Sequence, residues 1–209
     1  MIDKQEPSPP PARRTQAERS ATTRAALLSA ARRLFAERGF AEVGTEAIVR
    51  AAGVTRGALY HQFADKTELF AAVFEALEEQ LAARIVEELA AAGASDPLDE
   101  LRLGVHAWLD ACERPDVQRI ALLDAPAVLG WERWREIGWR YGLGLVEAVL
   151  VEAVKRGRIA PQPVSALAHV LIGALDEAAL YIARAADQAA ARAEMEAVVG
   201  ELLRGLERG

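Results

Sequence analysis

The side chains that could do chemistry are concentrated in one short stretch, residues 44–63. Its second half holds hydrogen-bond donors and contains no carboxylate: Thr55, Arg56, Tyr60, His61 and Gln62. Donors without neighbouring carboxylates can approach phosphates and base edges without charge repulsion. The stretch therefore indicates recognition of nucleic acid.

Two short helices must position these donors, because the sequence breaks at a Gly-Val-Thr turn, residues 53–55. Thr55 is a good N-cap, since its hydroxyl can accept from a backbone N–H two or three residues on. At about 100° per residue, Leu59 and Phe63 point inward together. The opposite face presents small and polar residues: Gly57, Ala58, Tyr60 and His61. This pattern predicts a helix-turn-helix whose second helix enters a major groove.

Four segments around this stretch resemble, in order and spacing, the DNA-binding head of the tetracycline-repressor (TetR) family. They are FAERGF at 35–40, AAGVTRG at 51–57, ALYHQF at 58–63 and DKTELF at 65–70. The resemblance covers about residues 16–75. It implies that Arg56 approaches base edges and that Gly57 lets the backbone come close to DNA. It also assigns phosphate contacts to four residues: Tyr60, His61, Gln62 and Lys66.

The chain departs from the family pattern at Gly44, where the family usually has Ser or Thr. Glycine is an acceptable cap, so the helix should survive, but the side-chain phosphate contact is lost. Thr45 is the candidate substitute. The predicted DNA-binding set is then Thr45, Thr55, Arg56, Gly57, Ala58, Tyr60, His61, Gln62 and Lys66.

The charge distribution agrees with a DNA-binding end. Residues 1–64 hold ten Lys/Arg and six Asp/Glu, a net charge of +4, whereas residues 65–209 hold fifteen and twenty-five, a net charge of −10. A basic head on an acidic body is the asymmetry expected when only one end of a molecule approaches phosphates.

Helical periodicity dominates the chain, and no segment alternates in the manner of a β-strand, so we expect an all-α fold of about nine helices. We place these helices near residues 16–38, 45–52, 56–63, 66–92, 97–113, 116–123, 131–157, 164–186 and 188–207. A Pro-rich disordered tail (1–15) precedes a three-helix DNA-binding domain (16–64) and a C-terminal ligand-sensing and dimerisation bundle (65–209). Gly39, Gly53, Gly93, Gly130 and Gly157 are the predicted stops, and Asp65, Asp96 and Asp187 the predicted N-caps.

Aromatic residues recur at helical spacing along the helix after Gly130: Trp131, Trp134 and Tyr141, with Gly138, Gly142 and Gly144 beside them. This stripe is either ordinary core or the wall of an effector pocket, since an apolar cavity with few polar groups is the usual small-molecule site. The candidate effector-binding residues are Trp108, Asp110, Asp124, Trp131, Trp134, Tyr141 and Asp176.

The last two predicted helices each carry an apolar stripe. Both stripes could pack inside one body, or they could form an intermolecular four-helix bundle. The family resemblance favours the bundle, as does the doubling of the DNA site by a two-fold dimer. The candidate interface is Leu167, Val170, Leu171, Ala174, Ala178, Tyr181, Val198 and Leu202.

Other functions find little support in the residues. No Ser, Cys or His stands in a recognisable nucleophile or base motif, and His106 with Asp110 has no third metal ligand at helical spacing, so we expect neither an enzyme nor a metal or cofactor. Cys112 is either a small core residue or a redox-sensing thiol. The run 164–186 carries charged residues and predicts a buried helix, and we expect a cytoplasmic protein without a signal peptide or membrane partner.

Three functions stay open at this point. The first is a homodimeric repressor that binds a pseudo-palindromic DNA operator and is released by a small apolar or amphipathic effector. The second is a DNA-binding regulator without a small-molecule effector, in which the aromatic stripe is solid core. The third is a helical enzyme that retains a helix-turn-helix-like end, which the missing catalytic motif disfavours.

Overall fold

A computed structural model describes residues 15–207. The predicted tail falls almost wholly outside this range. Within it, the chain forms ten α-helices and one π-helical segment: α1 (Gln16–Glu42), α2 (Thr45–Ala52), α3 (Arg56–Gln62), α4 (Lys66–Ala92), α5 (Pro97–Cys112), α6 (Pro115–Val117), the π segment (Gln118–Asp124), α7 (Ala125–Leu129), α8 (Trp131–Lys155), α9 (Val164–Arg184) and α10 (Gln188–Arg204). The predicted all-α class is confirmed.

Local signals set most of the helix ends. The carboxylates of Asp65, Asp96 and Asp187 each accept from a backbone N–H in the first turn of the helix that follows, as predicted. The longest helix of the head, α1, is interrupted at Gly39, whose backbone has φ 79° and ψ 164° inside the helical span. Because that conformation suits only glycine, the chain turns sharply there as the sequence indicated.

The predicted helix 116–123 is part of a longer feature. In the structure α6, the π segment and α7 run without a break from Pro115 to Leu129. A π turn shifts the register of side chains within a helix and often marks a functional position. Here it allows one short segment to face the head and the body at once.

Two apolar cores hold the molecule together. The larger contains side chains of α1 to α4 and of the π segment, and includes Phe35, Phe70 and Phe74, none of which is exposed. The smaller is formed by α5, α8, α9 and α10. Leu69, Phe70 and Val73 of α4 belong to the larger core, so the first turns of α4 pack with the head and fix the start of the body against it.

Helix α9 is the most apolar of the long helices. By length and composition alone it could cross a membrane, which the charged residues in its sequence had led us not to expect. In this fold α9 packs against α8 and α10, and its Asp176 pairs with Arg135 of α8.

Cys112 is buried in the larger core, where burial raises the pKa of its thiol well above the ordinary value. The thiolate that redox sensing requires is therefore disfavoured.

Candidate nucleic-acid interface and effector cavity

The helix-turn-helix is built from local signals. Gly53 ends α2 in the left-handed conformation, with φ 66° and ψ 31°. The Thr55 hydroxyl then caps α3 by accepting from the N–H of Ala58 at 3.2 Å. Leu59 is fully buried and Phe63 nearly so, as the helical spacing predicted. These contacts fix the direction in which α3 presents its other face.

That other face is open to solvent. Thr55, Arg56, Gly57, Tyr60 and His61 are exposed on it, whereas Thr45 and Ala58 are half-buried beside it. The Arg56 guanidinium lies 5.6 Å from the centre of the Tyr60 ring. Hydrogen bonding from Arg56 and then from Thr45 lowers the pKa of the Tyr60 hydroxyl. A cation, a hydroxyl donor and a small residue therefore stand together where a groove would be met.

Two predicted phosphate contacts are already engaged within the chain. The Gln62 amide donates to the Ser20 hydroxyl of α1 at 2.7 Å. The Lys66 ammonium donates to the carbonyls of Phe40 at 2.9 Å and of Val43 at 3.1 Å, and lies 3.9 Å from the centre of the Phe40 ring. A cation at the start of α4 opposes that helix's dipole, and these carbonyls offset the cost. Lys66 thus braces the end of α1 against the start of α4.

The geometry gives Lys66→Ala an expected result that differs from that of a phosphate contact. Removing the brace should lower the free energy of unfolding by about 1–3 kcal/mol, because two charge-assisted hydrogen bonds are lost. Operator affinity should fall on every DNA sequence, while the slope of log affinity against log salt stays unchanged. Urea unfolding and DNA titrations at several salt concentrations measure these quantities. A stable variant whose salt slope falls by about one phosphate equivalent per subunit would instead identify Lys66 as a phosphate contact.

A cavity of about 140 Å³ lies in the body, lined by α4, α5, the π segment, α8 and α9. Three predicted effector-binding residues line it: Trp108, Trp134 and Asp176. Gly138 and Gly142 also line it, and a Cβ atom added at either would meet no atom within 4 Å. These glycines therefore leave room beside α8. An engineered apolar cavity of about 150 Å³ binds benzene, so the space suits a molecule of about one ring.

The other four predicted effector residues lie elsewhere. Asp110 is exposed and pairs with Arg192 of α10. Trp131 is 60% exposed. Tyr141 packs on the larger core, where its hydroxyl donates to Glu75 at 3.4 Å. Asp124 faces the head and accepts from the backbone N–H of Phe40 at 2.7 Å.

The lining residues that were not anticipated include Glu78, Arg135 and Trp139. Glu78 is 8% exposed, and burial followed by the charge of Asp176 raises the pKa of its carboxyl to about 8. Burial likewise raises the pKa of Asp176 to about 6, although Arg135 donates to it at 2.5 Å and opposes the shift. The sequence signal for Glu78 was its place among the buried Phe74, Leu77 and Leu81, where a solvent-facing charge is not expected.

The π segment connects the cavity to the head. Ala121 and Leu122 line the cavity, and the carbonyl of Ala121 accepts from the Trp134 indole at 2.9 Å. A few residues on, Asp124 binds the backbone of Phe40, as described above. Arg119 of the same segment packs so closely on Gly39 that a Cβ atom there would clash with the guanidinium. Any displacement of this segment would therefore move contacts in both places.

The predicted dimer residues separate into three groups by exposure. Val170, Tyr181, Val198 and Leu202 are exposed. Leu167, Leu171 and Ala174 are half-buried, while Ala178 is buried within the chain and packs in the smaller core. The exposed members provide an apolar surface on α9 and α10.

The Nδ1 atom of His106 lies 2.9 Å from the Glu196 carboxylate. His106 and Asp110 are the two residues that were considered as metal ligands from the sequence. Among residues 15–207, no group of three or more His, Cys, Asp or Glu side chains is arranged to hold a metal ion.

A donor-bearing recognition helix on a helical body with an internal cavity defines a DNA-binding regulator of the helix-turn-helix class. Residues 27–73 match the family described as "Bacterial regulatory proteins, tetR family", and residues 98–206 match "Tetracyclin repressor-like, C-terminal domain". The structure of a TetR-family transcriptional regulator from Pectobacterium atrosepticum is 35% identical, with a TM-score of 0.81 over 94% of this chain and 99% of that one. The chain belongs to the TetR family of transcriptional regulators.

Two further similarities are narrower. The HTH-type transcriptional regulator CymR of Pseudomonas putida is 43% identical over 80 residues, which are 38% of this chain and 39% of CymR. The chain thus aligns with about two fifths of that relative. The structure of RolR in complex with resorcinol has a TM-score of 0.62 and 23% identity, over 91% of this chain and 95% of RolR. At that identity RolR shares the fold.

Proposed function

We propose that this regulator is a cytoplasmic repressor that binds a pseudo-palindromic operator as a homodimer and releases it when a small molecule enters the cavity. The observation that carries the proposal is the π segment, which lines the cavity with Ala121 and Leu122 and holds the head through Asp124. A ligand that displaces the segment changes how the head sits on the body. A coupling free energy of about 1–3 kcal/mol between the two sites suffices for regulation.

Operator binding is assigned to the exposed face of α3. Arg56 reads base edges, Gly57 allows close approach, and Tyr60 and His61 meet phosphates. Gln62 and Lys66 act mainly by holding α3 and α4 against α1, because their polar atoms are bound to Ser20, Phe40 and Val43. Thr45 contributes by hydrogen bonding to the Tyr60 hydroxyl. Since one short helix reads few bases, two heads on one dimer are needed for a specific site.

Filling the cavity tests effector control. Gly142→Leu should place a side chain in the open space beside Trp139 without unfolding α8, because replacing a helical glycine gains about 1 kcal/mol of helix propensity. We expect the variant to bind the operator as tightly as wild type and to lose its response to a compound that releases wild type. A panel of small aromatic and amphipathic compounds, followed by tryptophan emission and by operator release, identifies such a compound.

Gly144→Leu is the matched control, because Gly144 lies on the same helix, is exposed and does not line the cavity. It should respond to the compound as wild type does. An unchanged response in Gly142→Leu would show that the effector acts elsewhere. A panel with no compound that changes tryptophan emission or operator binding would favour a regulator without a small-molecule effector.

The homodimer is assigned to the exposed apolar surface of α9 and α10. Leu202 is 53% exposed there, so Leu202→Glu should place an unpaired charge in the interface and yield monomers while leaving the fold of each chain intact. Light scattering at micromolar concentration measures the mass. Val86→Glu is the control, because Val86 is a comparably exposed apolar residue on α4. The assignment fails if wild type is monomeric, or if Val86→Glu alone disrupts the dimer.

A further inference from the structure

The wall of the cavity is apolar and aromatic except for a few ionisable groups. The rings of Trp108, Trp134 and Trp139 supply much of its surface. The one cation among its described lining residues, Arg135, is already used: it pairs with Asp176 and lies 5–6 Å from the ring centres of Trp134 and Trp139. The cavity therefore offers no free positive charge to an anionic ligand.

Of the two remaining carboxyl groups on the wall, Glu100 is half-buried and Glu78 is buried. No side-chain hydrogen bond or ion pair within residues 15–207 involves Glu78. Its carboxyl is protonated at neutral pH, because burial and the charge of Asp176 raise its pKa to about 8. A neutral carboxyl can both donate and accept a hydrogen bond, which suits an uncharged hydroxyl group.

Two tryptophan indoles add hydrogen-bond donors to this part of the molecule. The Nε1 atoms of Trp108 and Trp139 are buried and lack a hydrogen-bond partner among the described residues, although both side chains line the cavity. Buried donors without partners are costly, so a shift of either indole toward an acceptor oxygen of a ligand is favourable. An ammonium ion brings no acceptor, and a carboxylate meets the repulsion of Asp176.

We infer that the cavity takes an uncharged single-ring aromatic compound bearing hydroxyl groups, a phenol, with its ring against the tryptophans and a hydroxyl on Glu78. The inference rests on the proposed function in assigning this cavity to the effector. The size of the cavity limits the ligand to about one ring, and its polar groups select an oxygen that both donates and accepts.

The test compares four ring compounds of similar size by calorimetry and tryptophan emission: phenol, toluene, benzoate and benzylamine. Phenol should bind tightest. Glu78→Leu should weaken phenol by about tenfold or more while leaving toluene within a few-fold, since only phenol uses the carboxyl. Glu78→Gln should keep phenol within a few-fold, because an amide also donates and accepts. Glu79→Gln, at the exposed neighbour, should change nothing.

Each alternative ranking identifies a different site. Benzylamine tightest, and lost in Glu78→Gln, would make the cavity a cation site and overturn the inference. Benzoate tightest, or toluene equal to phenol, would also overturn it, as would no binding of any of the four. Operator titration separates the two claims. If phenol binds without releasing the operator, the cavity is specific for phenols but does not control operator binding. If a compound of another class releases the operator, the cavity controls operator binding but its ligand is not a phenol.

Discussion

Arg56→Ala is expected to weaken binding to the preferred operator by about 1–3 kcal/mol per half-site, roughly 5- to 150-fold, and to relax base preference at one position of each half-site. Arg56 stands in the first turn of α3, exposed beside Tyr60, with a guanidinium that can pair with N7 and O6 of guanine. The affinity for scrambled DNA should fall only slightly, because the hydrogen bonds from Arg56 to a base form only where the right base is present. Titration of both DNAs at several salt concentrations measures the difference.

Arg50→Ala is the control for that prediction. Arg50 is an exposed arginine on α2 outside the predicted contact set, so its loss removes the same charge from the head. It should weaken preferred and scrambled DNA alike, through the electrostatic part of binding. If Arg56→Ala also lowers the affinity for both DNAs equally, Arg56 is a backbone contact and its role in reading sequence is wrong.

Stability should fall as pH rises, and Glu78 should cause most of the fall. The pKa of its carboxyl is about 8 in the folded chain and near the ordinary value of 4.5 when unfolded. Below about pH 4.5 the folded and the unfolded chain both hold the proton, so no stability is lost. Above it the unfolded chain releases the proton while the folded chain keeps it, so the stability contributed by the protonated group declines until about pH 8. The whole decline is at most about 5 kcal/mol.

Glu78→Gln removes this titration and should be more stable than wild type at pH 9 by several kcal/mol, yet similar to it at pH 5. Urea unfolding at fixed protein concentration across pH 5–9 gives both curves. Asp176 titrates in the same direction from 3.8 to about 6, so the variant should keep a smaller decline in the acid part of the range. Glu79→Gln should follow wild type throughout. Parallel curves for wild type and Glu78→Gln would show that the carboxyl titrates normally.

The head could be predicted from the sequence because its signals are local. The Thr55 cap, the left-handed Gly53 and the inward pair of Leu59 and Phe63 all lie within eleven residues of one another, and short-range spacing determines their directions. What spacing could not show is which donors stay free. Gln62 and Lys66 are bound by Ser20 and by backbone carbonyls of α1, partners 23–42 residues away in the chain.

The cavity was predicted only in outline, since α4, α5, the π segment, α8 and α9, which are distant in sequence, all contribute to its wall. The stripe of Trp131, Trp134 and Tyr141 was placed on one face of α8, but the cavity lies about 60° further round that helix, taking about 100° per residue. Because of this difference in direction, Trp139 lines the cavity and Tyr141 does not. Asp124 was likewise predicted as an effector residue, but it does not line the cavity and accepts from the backbone N–H of Phe40, a contact between residues 84 apart in the chain.

We propose above that two copies of this head, held in one dimer, read one symmetric DNA site. Mixing the purified protein with random double-stranded DNA and sequencing the fragments it retains measures this directly. We expect an enriched pseudo-palindrome whose two half-sites are spaced by about one helical turn or a multiple of it, and we expect Leu202→Glu to lose that enrichment. Recovery of no enriched motif, or of a single asymmetric site bound equally well by Leu202→Glu, would show that this protein does not read a symmetric site as a dimer.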